Sequence, residues 1–372
     1  MVLISYMSRI QFDFGALRLL PGELALLGVK RPLLVTDPGV RSAGMVERVL
    51  ATLDGVRPPV FEDTPSNPTE AAAEAAMALH RAHGCDGVVA LGGGSAIDLA
   101  KAVALLATHP GSLGDYGVRV GGSAGIGEIA PVLAIPTTAG TGAEVGRAAT
   151  LTLSSGRKIA CVSPRLIPRA AICDPELTLS LPPMMTAATG MDALSHGIES
   201  YLSTWVNPPA AAIALDCVER AGRWIDRAVA HGDDREARWQ MLMAALEGGL
   251  TFQKGLGAVH AAGHPLGALG YHHGTLNAIL LPPVLRFNAQ AVPEKIAHLK
   301  AALGLTPGED LADWIEQLTR RIGLPTRLSE LGLDAALIPD LAEEASHEHL
   351  SATNPRPATA ADYRRILEAA FR

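Results

Sequence analysis

The stretch GVVALGGGSAIDLAKAVA (87–104) opens with a short apolar run of the kind buried on both faces of a parallel sheet. It passes directly into Gly92-Gly93-Gly94-Ser95 and then into a helical segment carrying Asp98 and Lys101. Strand, glycine turn and helix form a unit suited to an anion. Glycines let the backbone approach closely, and the free N–H groups and positive dipole end of the helix favour a pyrophosphate. A tight βα turn without a ligand is the plainer alternative. Ile97 stands where a Rossmann fingerprint has its third glycine, and no Gly-Lys-Ser/Thr follows to make a P-loop.

On either side of this unit the chain alternates strand-like and helix-like segments. RPLLVTD (31–37), PPVFED (58–63) and EAAAEAAMALHRAHG (70–84) precede it; APVLAIPTTAGTGAEV (130–145), ATLTLSS (149–155) and AAICDP (170–175) follow. Such alternation predicts βαβ units and a parallel sheet. After LPPMM (181–185) the pattern turns to Ala- and Leu-rich segments of helical period. The expected architecture is an α/β dinucleotide-binding domain over 1–177 and an all-α domain over 178–372. A chain of 372 residues, 48% of them hydrophobic, is long enough for two cores.

The formal charge of −7, from 31 basic and 38 acidic residues, leaves no basic stripe for nucleic acid and favours a small-molecule ligand. The four cysteines are far apart and read as reduced core residues. The apolar start MVLISYMSRI is too short for a secretory leader, and no run reaches the roughly 18 apolar residues of a membrane span. A cytoplasmic protein without a membrane partner is expected.

Two more loops suit a nucleotide. Asp37 ends a strand, where a carboxylate can accept bonds from an adenosine ribose and repel a 2′-phosphate, favouring NAD over NADP; Asp-Pro-Gly is equally a good turn. Pro136-Thr137-Thr138-Ala139-Gly140-Thr141-Gly142 follows the strand VLAI at a ligand-facing end. In the helical half, Asp192 and His196 are spaced i, i+4, as are His260 and His264, with His272 and His273 just beyond. On a helix that spacing puts both side chains on one face, as ligands of one ion require. Carboxylate and imidazoles without thiolate suit Fe(II), Zn(II) or another divalent ion. Such a cation stabilises the alkoxide formed as an alcohol loses its proton. Nucleotide-type and metal-type halves together predict dehydrogenation of a small alcohol.

The chain resembles the iron-containing, group III alcohol dehydrogenases along nearly its whole length. The carriers are Asn67-Pro68-Thr69, GGGSAIDLAK (92–101), PTTAGTGAEV (136–145), DPELTLSLPP (174–183), TGMDALSHGIES (189–200), VHAAGHPLG (259–267), HHGTLNAILLP (272–282) and NPRPAT (354–359). The resemblance implies a dehydroquinate-synthase-like fold, an alcohol or aldehyde substrate and a homodimer or larger assembly. It also implies Asp192, His196, His260 and His273 as metal ligands; His273 is preferred to His272 because the family ligand directly precedes glycine. His264 corresponds to the active-site histidine beside the nicotinamide. Gly93, Gly94, Ser95 and Asp98 correspond to the pyrophosphate loop, Thr137 and Thr138 to a second cofactor loop, Lys158 to a ribose contact, and Asn67 and Asp37 to adenosine-side positions.

Departures from the family pattern fall near the expected substrate pocket. The segment from His264 to His273 is one residue shorter than usual, and Ala148 stands where relatives carry a pocket-limiting side chain. Arg147 and Lys254 are candidates for orienting a substrate carboxylate, as in a 4-hydroxybutyrate-like hydroxy acid or a semialdehyde; the alternative is that they face solvent or pair with acids. A catalytically silent nucleotide-binding protein is the non-enzymatic alternative, and it would predict broken ligand or glycine positions.

Overall fold

The computed structural model describes residues 8–53 and 55–372. The first seven residues, which carry most of the apolar start, lie outside that range. Contacts divide the chain into two compact units, one formed by residues up to Thr138 with Gly142–Ser180, the other by Leu181–Arg372 with Ala139–Thr141.

The first unit is built on a six-stranded parallel sheet. Its strands are β1 (Arg9–Phe12), β2 (Pro32–Val35), β3 (Val60–Phe61), β4 (Gly87–Gly92), β5 (Val132–Pro136) and β8 (Ala170–Cys173), in the order β1-β8-β5-β4-β2-β3. β4 is central and buried throughout because its alternate residues feed two cores. Val88 and Ala90 join Leu33, Val132 and residues of helices Glu70–Ala82 and Gly94–Leu106. Val89 and Leu91 join Leu34, Ile135 and residues of helices Leu20–Leu27 and Met45–Ala51 on the opposite face. Each fully buried valine, leucine or isoleucine among them contributes roughly 1.5–3 kcal/mol.

ATLTLSS does not extend this sheet. Ala148–Thr152 (β6) pairs antiparallel with Lys158–Val162 (β7) in a separate two-stranded sheet, joined by a short turn through Gly156. A connection of that length allows only an antiparallel return, since a parallel pairing needs a crossover.

Beyond Cys173 the described residues contain helices and no strand. Helix Pro183–Leu202 is the centre of the second unit. It has proline at its start, and its residues from Thr186 to Leu202 are all buried. Helices Pro208–Ala230, Arg235–Leu250 and His273–Asn288 pack against it, and Ala258–Ala268 packs against the last of these. Small residues permit the approach: a Cβ on Gly197 would lie 2.9 Å from Cys217 Sγ. All four cysteines are free, and among the described residues no helix is long and apolar enough to cross a membrane.

Candidate functional site

In the α/β unit the loops leaving β2, β4 and β5 converge on the glycine turn. The chain goes out from β2 to β3 and returns to β4 on the other side of β2, so β2 and β4 flank the point where strand order reverses. Open α/β sheets bind ligands at such a point. Gly92 closes β4 with φ 153°, a conformation that favours glycine, and a Cβ there would lie 2.7 Å from Ala96 Cβ and 3.1 Å from Asp37 Oδ2. Thr137 donates its N–H to Gly92 O at 3.0 Å. A Cβ on Gly93 would stand 3.2 Å from the Thr138 hydroxyl oxygen. The Ser95 hydroxyl donates to Ser66 O at 2.6 Å, drawing the loop that holds Asn67 onto the turn.

Asp37, Asn67, Gly93, Gly94, Ser95, Thr137 and Thr138 therefore gather around one helix start. Asp37 Oδ1 accepts the Val40 N–H at 2.9 Å and caps helix Pro38–Ser42, while Oδ2 lies against the glycine turn. Asp98 and Lys158 are engaged differently. Asp98 Oδ2 accepts the Thr150 N–H at 3.0 Å, tying the helix to β6, and Lys158 opens β7. Lys101, wholly buried, donates to the carbonyls of Gly146 and Ala148 at 3.0 and 2.8 Å. Glu144 in the same loop is 2% exposed, and burial pushes its carboxyl up to about 7.

In the helical unit four sequence-predicted side chains meet. Asp192 and His196 lie on helix Pro183–Leu202, His260 on Ala258–Ala268, and His273 at the start of His273–Asn288. Asp192 Oδ1 is 3.6 Å from His196 Nε2, 3.7 Å from His260 Nε2 and 3.6 Å from His273 Nε2. Ligands held ~2.1 Å from one tetrahedral ion lie ~3.4 Å apart, so these separations and donors fit a divalent cation. Asp192, His260 and His273 form the compact group, with ligand atoms within 4.8 Å of one another. The His196 ring stacks on His260 at 4.6 Å. Burial opposes charge on Asp192, yet the surrounding imidazoles hold its carboxyl far below the usual carboxylate range. Burial lowers His196 to about 4, keeping it neutral and able to ligate.

His272 is exposed and caps the helix that His273 enters. What separates the two neighbours is Gly274. A Cβ there would fall 2.1 Å from Ala188 O, so only glycine lets this helix start press against Pro183–Leu202 and bring His273 to Asp192.

Nothing in the sequence singled out three further residues of this site. Glu199, 4% exposed, places Oε2 2.5 Å from His260 Nδ1 and Oε1 2.7 Å from Val259 N. Carboxylate on Nδ1 leaves the Nε2 lone pair for a metal. Asn277, one turn after His273, points its amide into the ligand group. Glu348 Oε2 lies 3.4 Å from His264 Nδ1. His264 is half-buried and separate from the compact group, its ring 6.2 Å from that of His273. Glu199 and Asn277 both sit inside quoted motifs, one turn or less from a predicted ligand; that periodicity was the available signal.

Lys254 corrects an expectation. It neither contacts solvent nor pairs with an acid: its ammonium is buried and donates to the carbonyls of Ser203 and Tyr201 at 2.8 and 3.3 Å. Burial, and then repulsion from Lys295, lower its pKa to about 8. Both described donations go to backbone, where Lys254 braces the end of helix Pro183–Leu202 as a strut. Arg147 is half-buried just before β6.

Comparison with known proteins agrees with both units. Residues 8–175 match the family model described as iron-containing alcohol dehydrogenase, and 186–371 match that of the Fe-containing alcohol dehydrogenase C-terminal region. The chain is 49% identical over 379 residues to a 4-hydroxybutyrate dehydrogenase of Cupriavidus necator, covering 99% of each. Among solved structures it resembles a 1,3-propanediol oxidoreductase with TM-score 0.92 and 35% identity over 100% of both chains. It also resembles a sulfoacetaldehyde reductase of Bifidobacterium kashiwanohense in complex with NAD+, with TM-score 0.89 and 30% identity over 99% and 98% of the two chains. The chain belongs to the iron-containing alcohol dehydrogenase family, oxidoreductases that move a hydride between a nicotinamide cofactor and an alcohol or its carbonyl.

Proposed function

We propose that the chain is an NAD- and Fe(II)-dependent dehydrogenase of a short hydroxy acid, with 4-hydroxybutyrate and its semialdehyde as the first candidate pair. The observation that carries the substrate is the 49% identity, end to end, to a 4-hydroxybutyrate dehydrogenase, against 35% to the 1,3-propanediol oxidoreductase. Asp37 supports NAD, because a carboxylate at that strand end favours ribose hydroxyls and repels a 2′-phosphate.

In this reading residues 1–177 bind the dinucleotide and 178–372 bind the metal. Gly93, Gly94 and Ser95 hold the pyrophosphate at the helix start, where the dipole and free N–H groups favour negative charge. Thr137, Thr138, Asp98, Asn67 and Lys158 complete the cofactor site. Asp192, His196, His260 and His273 would hold the divalent ion, which when bound supplies Lewis acidity that favours the substrate alkoxide. His264, with Glu348 behind it, carries the alcohol proton away. Free, mostly buried cysteines accord with work in a reducing cytoplasm, and a homodimer is the assembly we propose.

The test is NADH formation, after loading with Fe(II) under nitrogen, on 4-hydroxybutyrate, 1,3-propanediol and 1-butanol. The expected result is kcat/KM on 4-hydroxybutyrate at least about tenfold above 1-butanol, a preference of ~1.4 kcal/mol in the transition state. Equal efficiency on both would remove the hydroxy-acid assignment. NADH binding without turnover on any substrate or metal would instead support a silent nucleotide-binding role.

A further inference from the structure

Asn277 is 0% exposed, and its amide nitrogen lies 2.7 Å from Asp192 Oδ1, 3.2 Å from His260 Nε2 and 3.1 Å from His273 Nε2. The ionised Asp192 oxygen can only accept, which identifies the near atom as the NH2 end. His260 Nε2 and His273 Nε2 stand within reach of the same nitrogen, whose two hydrogens can serve Asp192 and one imidazole at a time. One neutral NH2 group thus addresses the same three atoms that form the compact cation-binding group. Asn277 Oδ1 is buried without a hydrogen-bond partner, so the side chain has given up one bond to place its donors here.

We propose that Asn277 is a positioning residue that serves as an internal surrogate for the cation. Its two N–H groups draw Asp192 and an imidazole of the set together before an ion arrives, and they compete with the ion for the same lone pairs. Amide and cation cannot both use those lone pairs, so the contacts that stabilise the ligand set without metal are given up on loading. Asn277 therefore weakens metal binding while protecting the metal-free fold, where a buried carboxylate without a donor is costly. This rests on the metal-site reading above.

The test compares the full-length wild type with Asn277→Leu and Asn277→Ala, each stripped by chelator and then titrated with Zn(II). The readouts are thermal midpoint with and without Zn(II), and Zn(II) affinity by competition with a chromophoric chelator. The expected result is that both variants lose several degrees without metal, recover most of that loss with Zn(II), and bind Zn(II) severalfold more tightly. Alanine guards against failure of the bulkier leucine to fold. An equal midpoint loss with and without Zn(II) overturns the proposal in favour of plain packing, and weaker Zn(II) binding overturns it in favour of an amide that assists the bound ion. Failure of the wild type to bind Zn(II) or Fe(II) would instead remove the metal-site reading itself, and the inference with it.

Discussion

His260 Nδ1 lies 2.5 Å from Glu199 Oε2, and the other oxygen of that carboxylate accepts the Val259 N–H at 2.7 Å. One buried acid thus fixes both the ring and the backbone that presents it. Replacing Glu199 by alanine removes both contacts, and outer partners of metal-binding histidines are typically worth about 10–100-fold in metal affinity. Glu199→Ala is therefore expected to weaken Zn(II) binding by about that factor while leaving NADH affinity unchanged. Chelator competition and fluorescence titration measure the two. Unaltered Zn(II) affinity would show that Glu199 does not orient His260.

Gly274 makes His273 available. In Gly274→Ala the new methyl meets Ala188 O at 2.1 Å, and the helix start must retreat. Overpacking of this kind costs about 1–3 kcal/mol, and here it also withdraws a ligand. The variant is expected to unfold at lower temperature and to retain well under half of the wild-type metal content by atomic emission. A variant with full metal content would mean that the helix start can shift without moving His273.

The buried carboxyl of Glu144 predicts a pH dependence of stability. Its folded value of about 7 lies above the ordinary 4.5, so between these pH values the folded chain keeps a proton that the unfolded chain releases. The folded state binds more protons there, and stability falls as pH rises from 4.5 to 7, then levels off. Glu144→Gln removes this term. It is expected to match the wild type below pH 4.5 and to exceed it by on the order of 2–3 kcal/mol above pH 7, as read by urea unfolding. Parallel pH profiles of the two proteins would refute the assignment.

Lys254→Met tests the strut. Taking the Lys254 donor from the Tyr201 carbonyl, while Ser203 O keeps Lys295 at 2.9 Å, is expected to cost about 1–3 kcal/mol of stability. The ratio of kcat/KM on 4-hydroxybutyrate to that on 1-butanol is expected to stay as in the wild type. A selective loss on the hydroxy acid would return Lys254 to the substrate.

The β4 unit was legible because its information is local: a short apolar run, three glycines and a helix lie within 20 residues, and each feature acts on its chain neighbours. The pairs Asp192/His196 and His260/His264 were legible for the same reason, since helical period alone puts each pair on one face. β1 was not. Arg9-Ile10-Gln11-Phe12 alternates polar and apolar residues over only four positions, too few to stand out, and becomes a strand by pairing with β8, some 160 residues away. Spacing by itself does not separate His260 from His264, which share a helix face, although the family resemblance gives them different roles. His260 reaches Asp192 and is backed by Glu199, whereas His264 meets Glu348.

The chain's own order of residues thus specified the α/β-then-helical plan and the chemical types at the site. Which imidazole turns to Asp192, and which acid or amide stands behind it, followed from helix packing. Contacts such as Gly274 against Ala188 and Asn277 with Asp192 and His260 join residues 17 to 86 positions apart, and no local period encodes a distance of that kind.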